Sequence, residues 1–268
     1  MTRDLGLYAP KRPHKLNPAL IAMLFNAVHD LHGGRVFVLE IGAGAGEGGL
    51  PFLGRFQGDG WSGLLIEPHP GHFAALEALH ADSDRVAVLN LGVSDINANL
   101  PLHSLTPEAQ AQFRRVPRGR ASILRDRIAT EGIPDDAIAA VEVPFLRLDA
   151  VLEELGIDSA QVIAINAGGH EEQVLRSFAL GPLAPALVLI NAVAGTAADA
   201  AAIATLRAGG LQPYRLGEWL AGFAPGSLAV PLDELLSYFQ KGVDGAGAAD
   251  ASETAGPGDP ADPSEGEA

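Results

Sequence analysis

A doubly wound α/β fold, built on a mainly parallel sheet with an antiparallel hairpin at its edge, is the architecture this sequence predicts. Three observations predict it. Short apolar runs alternate with helical segments from Arg35 to about Val230, the pattern of parallel strands joined by covering helices. The first of these runs ends in a glycine-rich loop, Gly42-Ala43-Gly44-Ala45-Gly46, and the second ends in a carboxylate, Glu67. Right-handed crossovers gather such loops, and the ligands they hold, at the carboxyl ends of parallel strands.

The elements follow in order. Residues 1–34 read as an arm and a helix: Asn17 caps, Pro18 fits the first turn and Gly33–Gly34 supply the stop. Leu20, Ile21, Leu24, Val28 and Leu31 recur at helical spacing and pack this helix on the body of the domain. Val36–Ile41 is the first strand, and Leu50–Phe56 a helix with Pro51 near its start. Gly63–Ile66 is the second strand, Gly71–His80 the next helix and Arg85–Leu91 the third strand. An Arg-rich insertion over about 95–140 interrupts the rhythm, which Val141–Leu146 resumes as a strand. Asp149 caps the helix Ala150–Leu155. Gln161–Ile165 and Ala186–Ile190 are buried strands with the helix Glu171–Phe178 between them. A helix over Ala197–Ala208 stops at Gly209–Gly210. Leu211–Leu216 and Ser227–Val230 close the sheet as an antiparallel pair around a loop holding Trp219 and Phe223. One domain over 35–240 and a tail over 241–268 result.

Composition narrows the classes of function. Of the 268 residues 47% are hydrophobic, and the mean hydropathy is +0.16, which excludes a wholly disordered chain. No apolar run approaches the roughly 18 residues that span a bilayer. The first residues carry charges and prolines where a signal peptide has its apolar core, so a cytoplasmic protein is expected. The absence of cysteine excludes disulfides, thiolate metal sites and a Cys nucleophile. The net charge is −15, and seven acidic residues with no basic ones follow Gly242 among Gly, Ala, Pro and Ser, the composition of a disordered, solubilising tail. An acidic chain lacks the basic footprint that phosphate contacts need, so no nucleic acid and no membrane is expected as partner. A small cationic ligand suits the charge.

Glycines spaced by two let the backbone turn sharply and approach a ligand with no Cβ in the way. Glu67 stands 21 positions after Gly46, where a carboxylate accepts both hydroxyls of an adenosine ribose. Loop and acid together predict a nucleoside-containing cofactor, against the plainer reading of a turn that binds nothing. Gly44-x-Gly46-x-x-Gly49 also fits the dinucleotide fingerprint of NAD enzymes. That register starts beyond the strand end and puts Glu47 at the helix N-terminus, in the seat of the pyrophosphate. S-adenosyl-L-methionine has no phosphate, and its ammonium and sulfonium charges suit Glu40 and Glu47. It is the preferred cofactor.

At these residues the sequence resembles the class I S-adenosylmethionine-dependent methyltransferases and, within them, the FkbM family. VLEIGAGAGEGG matches through Glu40, Gly42, Gly44 and Gly46, and LLIEPHPGHFAAL through Glu67, Pro68, Pro70 and Phe73. VAVLNLGVSD puts Asn90, Gly92 and Ser94 where the family meets the adenine edge, and VPFLRLDAVLEELG is similar to its strand leading into Leu-Asp and a short helix. The resemblance runs from Val36 to Val230. It implies a seven-stranded Rossmann-like sheet and methyl transfer from S-adenosyl-L-methionine to a hydroxyl of a small molecule or glycan. It also implies cofactor contacts from Glu40, Gly42, Gly44, Gly46, Glu67, Asn90 and Asn166. In a fifth block the family pattern Lys-Ile-Asp-x-Glu-Gly-x-Glu becomes Ala164-Ile165-Asn166-Ala167-Gly168-Gly169-His170-Glu171. Gly169 and Glu171 are kept, whereas Ala164, Asn166 and Gly168 replace Lys, Asp and the first Glu. A non-catalytic cofactor-binding protein is therefore the alternative.

Methyl transfer to a hydroxyl needs alignment, exclusion of water and a base. Glu171, carried over from the family pattern, and His170, from its place just after the fourth strand, are the candidate catalytic residues; a helix-cap or surface histidine is the competing reading of His170. Asn166 can bind but cannot act as a base, and no Pro-Pro-aromatic run follows it, which argues against methylation of base or amide nitrogens. No metal is expected. His69 and His72 lack a ligand spacing and read as cap and surface residues, and His29 and His32 suit a helix C-terminus. Arg114, Arg115, Arg118, Arg120, Arg125 and Arg127 make the insertion cationic: a lid drawing in an anionic or sugar-like substrate, or a solvated face paired with acids such as Asp126. Ser122-Ile123-Leu124 resembles a short serine-containing stretch of the family.

Overall fold

The computed structural model describes residues 18–46, 50–113, 120–216, 218–224 and 226, all within a unit spanning Met1–Leu228. Asn17, Glu47, Gly49, Arg114, Arg115, Arg118, the expected strand Ser227–Val230 and the acidic tail lie outside the described residues.

Helix α1 (Pro18–Leu31) precedes β1 (Phe37–Ile41), α2 (Phe52–Gly58), β2 (Ser62–Ile66), α3 (Pro70–Leu79) and β3 (Val86–Leu89). Then come β4 (Gly92–Val93), β5 (Ala98–Leu105), α4 (Pro107–Gln112), β6 (Ala121–Ser122) and β7 (Ile138–Leu146), with short 3-10 turns at Arg125–Arg127 and Asp135–Ala137. The chain returns through α5 (Leu148–Leu155), β8 (Val162–Ile165), α6 (Glu171–Arg176), α7 (Leu180–Leu183) and β9 (Leu187–Asn191). It ends with α8 (Ala197–Ala208), β10 (Gln212–Leu216) and β11 (Trp219–Phe223).

The main sheet has seven strands in the order β10-β11-β9-β8-β1-β2-β3, the expected doubly wound arrangement. All neighbours from β3 to β9 pair in parallel, and β11 runs antiparallel to both β9 and β10. β8 and β9 are apolar runs because helices cover both faces: every residue of β8 is buried, as are Leu187 to Ile190 of β9. Their side chains join Leu39, Ile41, Leu64 and Ile66 in the principal core. Helix α1 packs on the domain through an aromatic cluster. Phe25 stacks on Phe52 at 4.9 Å and meets Trp61 at 5.5 Å, while the Trp61 indole N–H donates to His29 Nδ1 at 3.0 Å.

Three expectations are corrected. Val141–Leu146 does not join the main sheet; it belongs to β7, at the centre of a second sheet ordered β4-β7-β5-β6. Val143 and Phe145 are buried while Glu142 and Pro144 are exposed, the alternation of a strand covered on one face only. The described part of the insertion thus builds, with β7, an antiparallel pairing of β5, β6 and β7 that has small cores around Ile128 and Phe145. The returning strand of the closing hairpin is Trp219–Phe223 and not a loop: all five residues are buried, because β11 inserts between β9 and β10. Asp149 lies in the first turn of α5 and not at its cap, which is Arg147; that guanidinium pairs with the Asp149 carboxylate.

A buried ion pair fixes the turn from β9 into α8. Arg215 donates to the Asp199 carboxylate and to the Ala192 carbonyl at 2.7 Å, and Asp199 also accepts the Gly195 N–H at 2.9 Å. Removing one partner strands the other charge out of water, which typically costs about 3–5 kcal/mol. Asp199→Ala is therefore expected to lower stability by about that amount in denaturant unfolding, whereas Asp199→Leu combined with Arg215→Met recovers most of the loss.

Candidate functional site

Strand order reverses at the centre of the sheet: β1, β2 and β3 step one way, β8 and β9 the other. The loops leaving β1 and β8 diverge at such a switch point and open a crevice at the carboxyl ends. Gly42 N–H donates to the Ile66 carbonyl and Asn166 N–H to the Ile41 carbonyl, each at 2.8 Å, so the parallel ladder continues into both loops. Gly42 has φ +77°, and a Cβ there would stand 2.0 Å from the Asn166 carbonyl oxygen, so only glycine fits. At Gly44, φ +65°, a Cβ would meet nothing within 4 Å, so the loop faces open space. Gly46 sits against Leu79, 2.5 Å from where its Cβ would be.

Glu67 lies under this loop and is 4% exposed. Its Oε2 accepts the Gly44 N–H at 2.7 Å and its Oε1 the His69 N–H at 2.9 Å, with His72 Nδ1 3.5 Å from Oε1. His69 caps α3, accepting the His72 N–H, and its ring stacks on that of His72 at 4.2 Å. Burial, then the neighbouring His72, pulls the His69 imidazole below its ordinary pKa against the pull of Glu67. Among the described residues no group of three or more His, Asp or Glu stands where it could hold a metal ion.

Glu40 lines a small cavity beneath the loop with Phe52, Phe56, Leu65, Leu76 and His80. Burial, reinforced by Glu67, pushes its carboxyl from 4.5 up to about 8. At neutral pH it is mostly uncharged and is not a standing counter-charge for a cation. Asn90 is exposed, and its side-chain amide donates to the carbonyls of Glu67 at 2.9 Å and Pro68 at 3.2 Å, so it braces the turn after β2. Gly92 makes room for the Phe145 ring, 2.2 Å from where its Cβ would be. Ser94 is buried, and its hydroxyl meets His170 Nε2 at 2.9 Å and Asp95 Oδ1 at 3.3 Å.

The candidate catalytic pair lies at the mouth of β8. His170 is 7% exposed and packs edge-on against Phe145 at 6.0 Å between ring centres. Burial lowers its pKa, with Asp95 acting in the opposite sense. Glu171 is 3% exposed, and its Oε1 accepts the N–H groups of Ala167 at 3.0 Å and Gly169 at 3.1 Å, so this carboxylate shapes the loop after β8. Asn166 is exposed at the strand end. Ile165 pairs with Ile190, which sets Asn166 beside Asn191 of β9.

The second sheet docks on this loop. Ser122 Oγ donates to the Gly168 carbonyl at 2.8 Å, and the Ala121 carbonyl lies 2.7 Å from where a Gly168 Cβ would stand. Gly168 has φ +63°. These contacts account for glycine in place of the resembled family's acid, and buried Ala164 leaves no outlet for a lysine. The stretch Ser122-Ile123-Leu124 stood out in the sequence, but its docking on Gly168 did not.

No protein-family model matches the chain, and no curated protein matches it in sequence. Among solved structures it is similar to the methyltransferase FkbM from Methylobacillus flagellatus, with 14% identity, a TM-score of 0.42, and coverage of 71% of this chain and 44% of that one. It is also similar to precorrin-6y C5,15-methyltransferase from Geobacter metallireducens (11%, TM-score 0.38, 82% and 95% covered). A third is fibrillarin from Aeropyrum pernix with bound S-adenosyl-L-methionine (12%, TM-score 0.38, 75% and 74% covered). The chain thus spans less than half the length of the first of these. The fold itself rests on the strand order and the antiparallel β11.

Glu40 gives the site a measurable pH signature. Between its ordinary 4.5 in the unfolded chain and about 8 in the folded one this carboxyl keeps its proton in the native state only, so its contribution to stability is fully present below 4.5 and is lost as pH rises through about 8. Glu40→Gln removes that contribution. Urea unfolding at pH 5 and pH 8 is expected to show a smaller loss of stability for the variant than for the wild type.

Proposed function

We propose that this chain is an S-adenosyl-L-methionine-dependent O-methyltransferase of FkbM type, acting on a hydroxyl of a small molecule or glycan. The observation that carries the reading is the bonded pair Gly44–Glu67 at the switch point: a Cβ-free loop closing β1, tied to the carboxylate closing β2. The residues there fit the cofactor. Each Glu67 oxygen takes one backbone N–H, and a carboxylate offers about four acceptor sites, which leaves sites for ribose hydroxyls. Gly44 faces open space, and a sulfonium nearby favours ionisation of Glu40.

Bound there, the cofactor supplies an activated methyl group on a sulfonium sulfur. A hydroxyl accepting that methyl group would give up its proton to a base of the protein. His170 is our choice for that base. Burial favours its neutral, proton-accepting form, and Ser94 links its ring to Asp95. Glu171 holds the loop that frames the acceptor. A second reading, cofactor binding without turnover, is favoured by this same engagement of Glu171 with Ala167 and Gly169 and by the loss of the acid at Gly168.

Calorimetry with S-adenosyl-L-methionine, S-adenosylhomocysteine and NAD tests the proposal. The first two are expected to bind and NAD not to; binding of NAD alone overturns it. Glu67→Ala is expected to weaken S-adenosylhomocysteine by about 1–3 kcal/mol through lost charge-assisted hydrogen bonds. Tight binding with no methyl release to any hydroxylated acceptor selects the second reading.

A further inference from the structure

We propose that Arg127 selects an acceptor bearing an acidic group, a carboxylate or a phosphate, at the mouth of β8. The inference rests on the methyltransferase reading above. The 3-10 turn Arg125–Arg127 closes with Arg127 N–H donating to the Leu124 carbonyl at 3.0 Å. The turn lays the guanidinium on the loop after β8: Nε, Cζ and Nη2 lie 2.9, 3.0 and 3.1 Å from where a Gly169 Cβ would stand. Gly169, with φ +105°, has the backbone that makes this approach possible.

Arg127 is exposed, and its guanidinium makes no hydrogen bond or ion pair among the described residues, unlike several other arginines: Arg125 pairs with Asp135, Arg147 with Asp149, Arg176 with Glu172 and Arg215 with Asp199. The loop beneath contributes little competing recognition, since the N–H groups of Ala167 and Gly169 are engaged by Glu171 and the carbonyl of Gly168 by Ser122. A planar fork of N–H donors in this position matches a carboxylate or phosphate bidentately. In a chain of net charge −15 a local cation also steers anions to the site.

The test labels arginines of the full chain with phenylglyoxal and reads each site by peptide mass mapping, with S-adenosylhomocysteine present. Three small phenols serve as probes: 4-hydroxybenzoate, 4-hydroxyphenyl phosphate and the neutral 4-hydroxybenzamide. One or both acids are expected to slow labelling of Arg127 by about fivefold or more, with exposed Arg207 unaffected and the amide without effect. Protection by one acid alone identifies which group is read. Calorimetric binding of the protecting acid is expected to be lost in Arg127→Gln, its fold checked by melting. Equal labelling under all three probes, or undiminished acid binding by Arg127→Gln, overturns the inference alone. Failure of the wild type to bind S-adenosylhomocysteine overturns the methyltransferase reading and this inference with it.

Discussion

Two hydrogen bonds to one carboxylate organise the strand ends. Glu67 takes the Gly44 N–H from the loop after β1 and the His69 N–H from the start of α3, and the Asn90 amide braces the same turn from the end of β3. A negative charge 4% exposed persists only where donors replace its water, and backbone amides do so without moving parts. The three consecutive strand ends are thereby fixed to one another. Burial, reinforced by the nearby Glu67, keeps the proton on the Glu40 carboxyl.

The other wall of the crevice is built differently. There the second sheet, and not a charge, sets the loop after β8, through Ser122 on the Gly168 carbonyl and the close pass of Ala121. The two glycines at 168 and 169 serve contact rather than chain freedom alone. The same packing of the insertion lays Arg127 against Gly169.

Much of this was legible in the sequence because parallel strands buried on both faces announce themselves as uninterrupted apolar runs; those over 162–165 and 187–190 are such runs. The glycine loop and Glu67 were legible because their spacing follows from the length of a crossover. The insertion was not. Its strands pair antiparallel with one face exposed, so Ala98–Leu105 carries proline, histidine and serine among its apolar residues and resembles a loop. Trp219–Phe223 was misread because a short segment with a glycine lacks the signal of a strand until Leu206 is seen to fill the space at Gly222. The roles of Glu171 and Ser94 were hidden for another reason. A conserved-looking acid or hydroxyl in a motif has the same spelling whether it faces a ligand or its own backbone.

The place of β1 in the sheet has a consequence for how the chain reaches this state. One neighbour, β2, follows it closely, but the other, β8, lies far along the chain; Phe37 N–H donates to the side chain of Gln161, 124 positions away. Pairing across such a separation is slow to form, because a large loop must close before any contact rewards it. While the polypeptide emerges from the ribosome, β1 therefore carries an open, apolar edge until the segment around Gln161 has been made. The crevice cannot assemble before that segment is made, and the exposed edge favours association of nascent molecules in that interval.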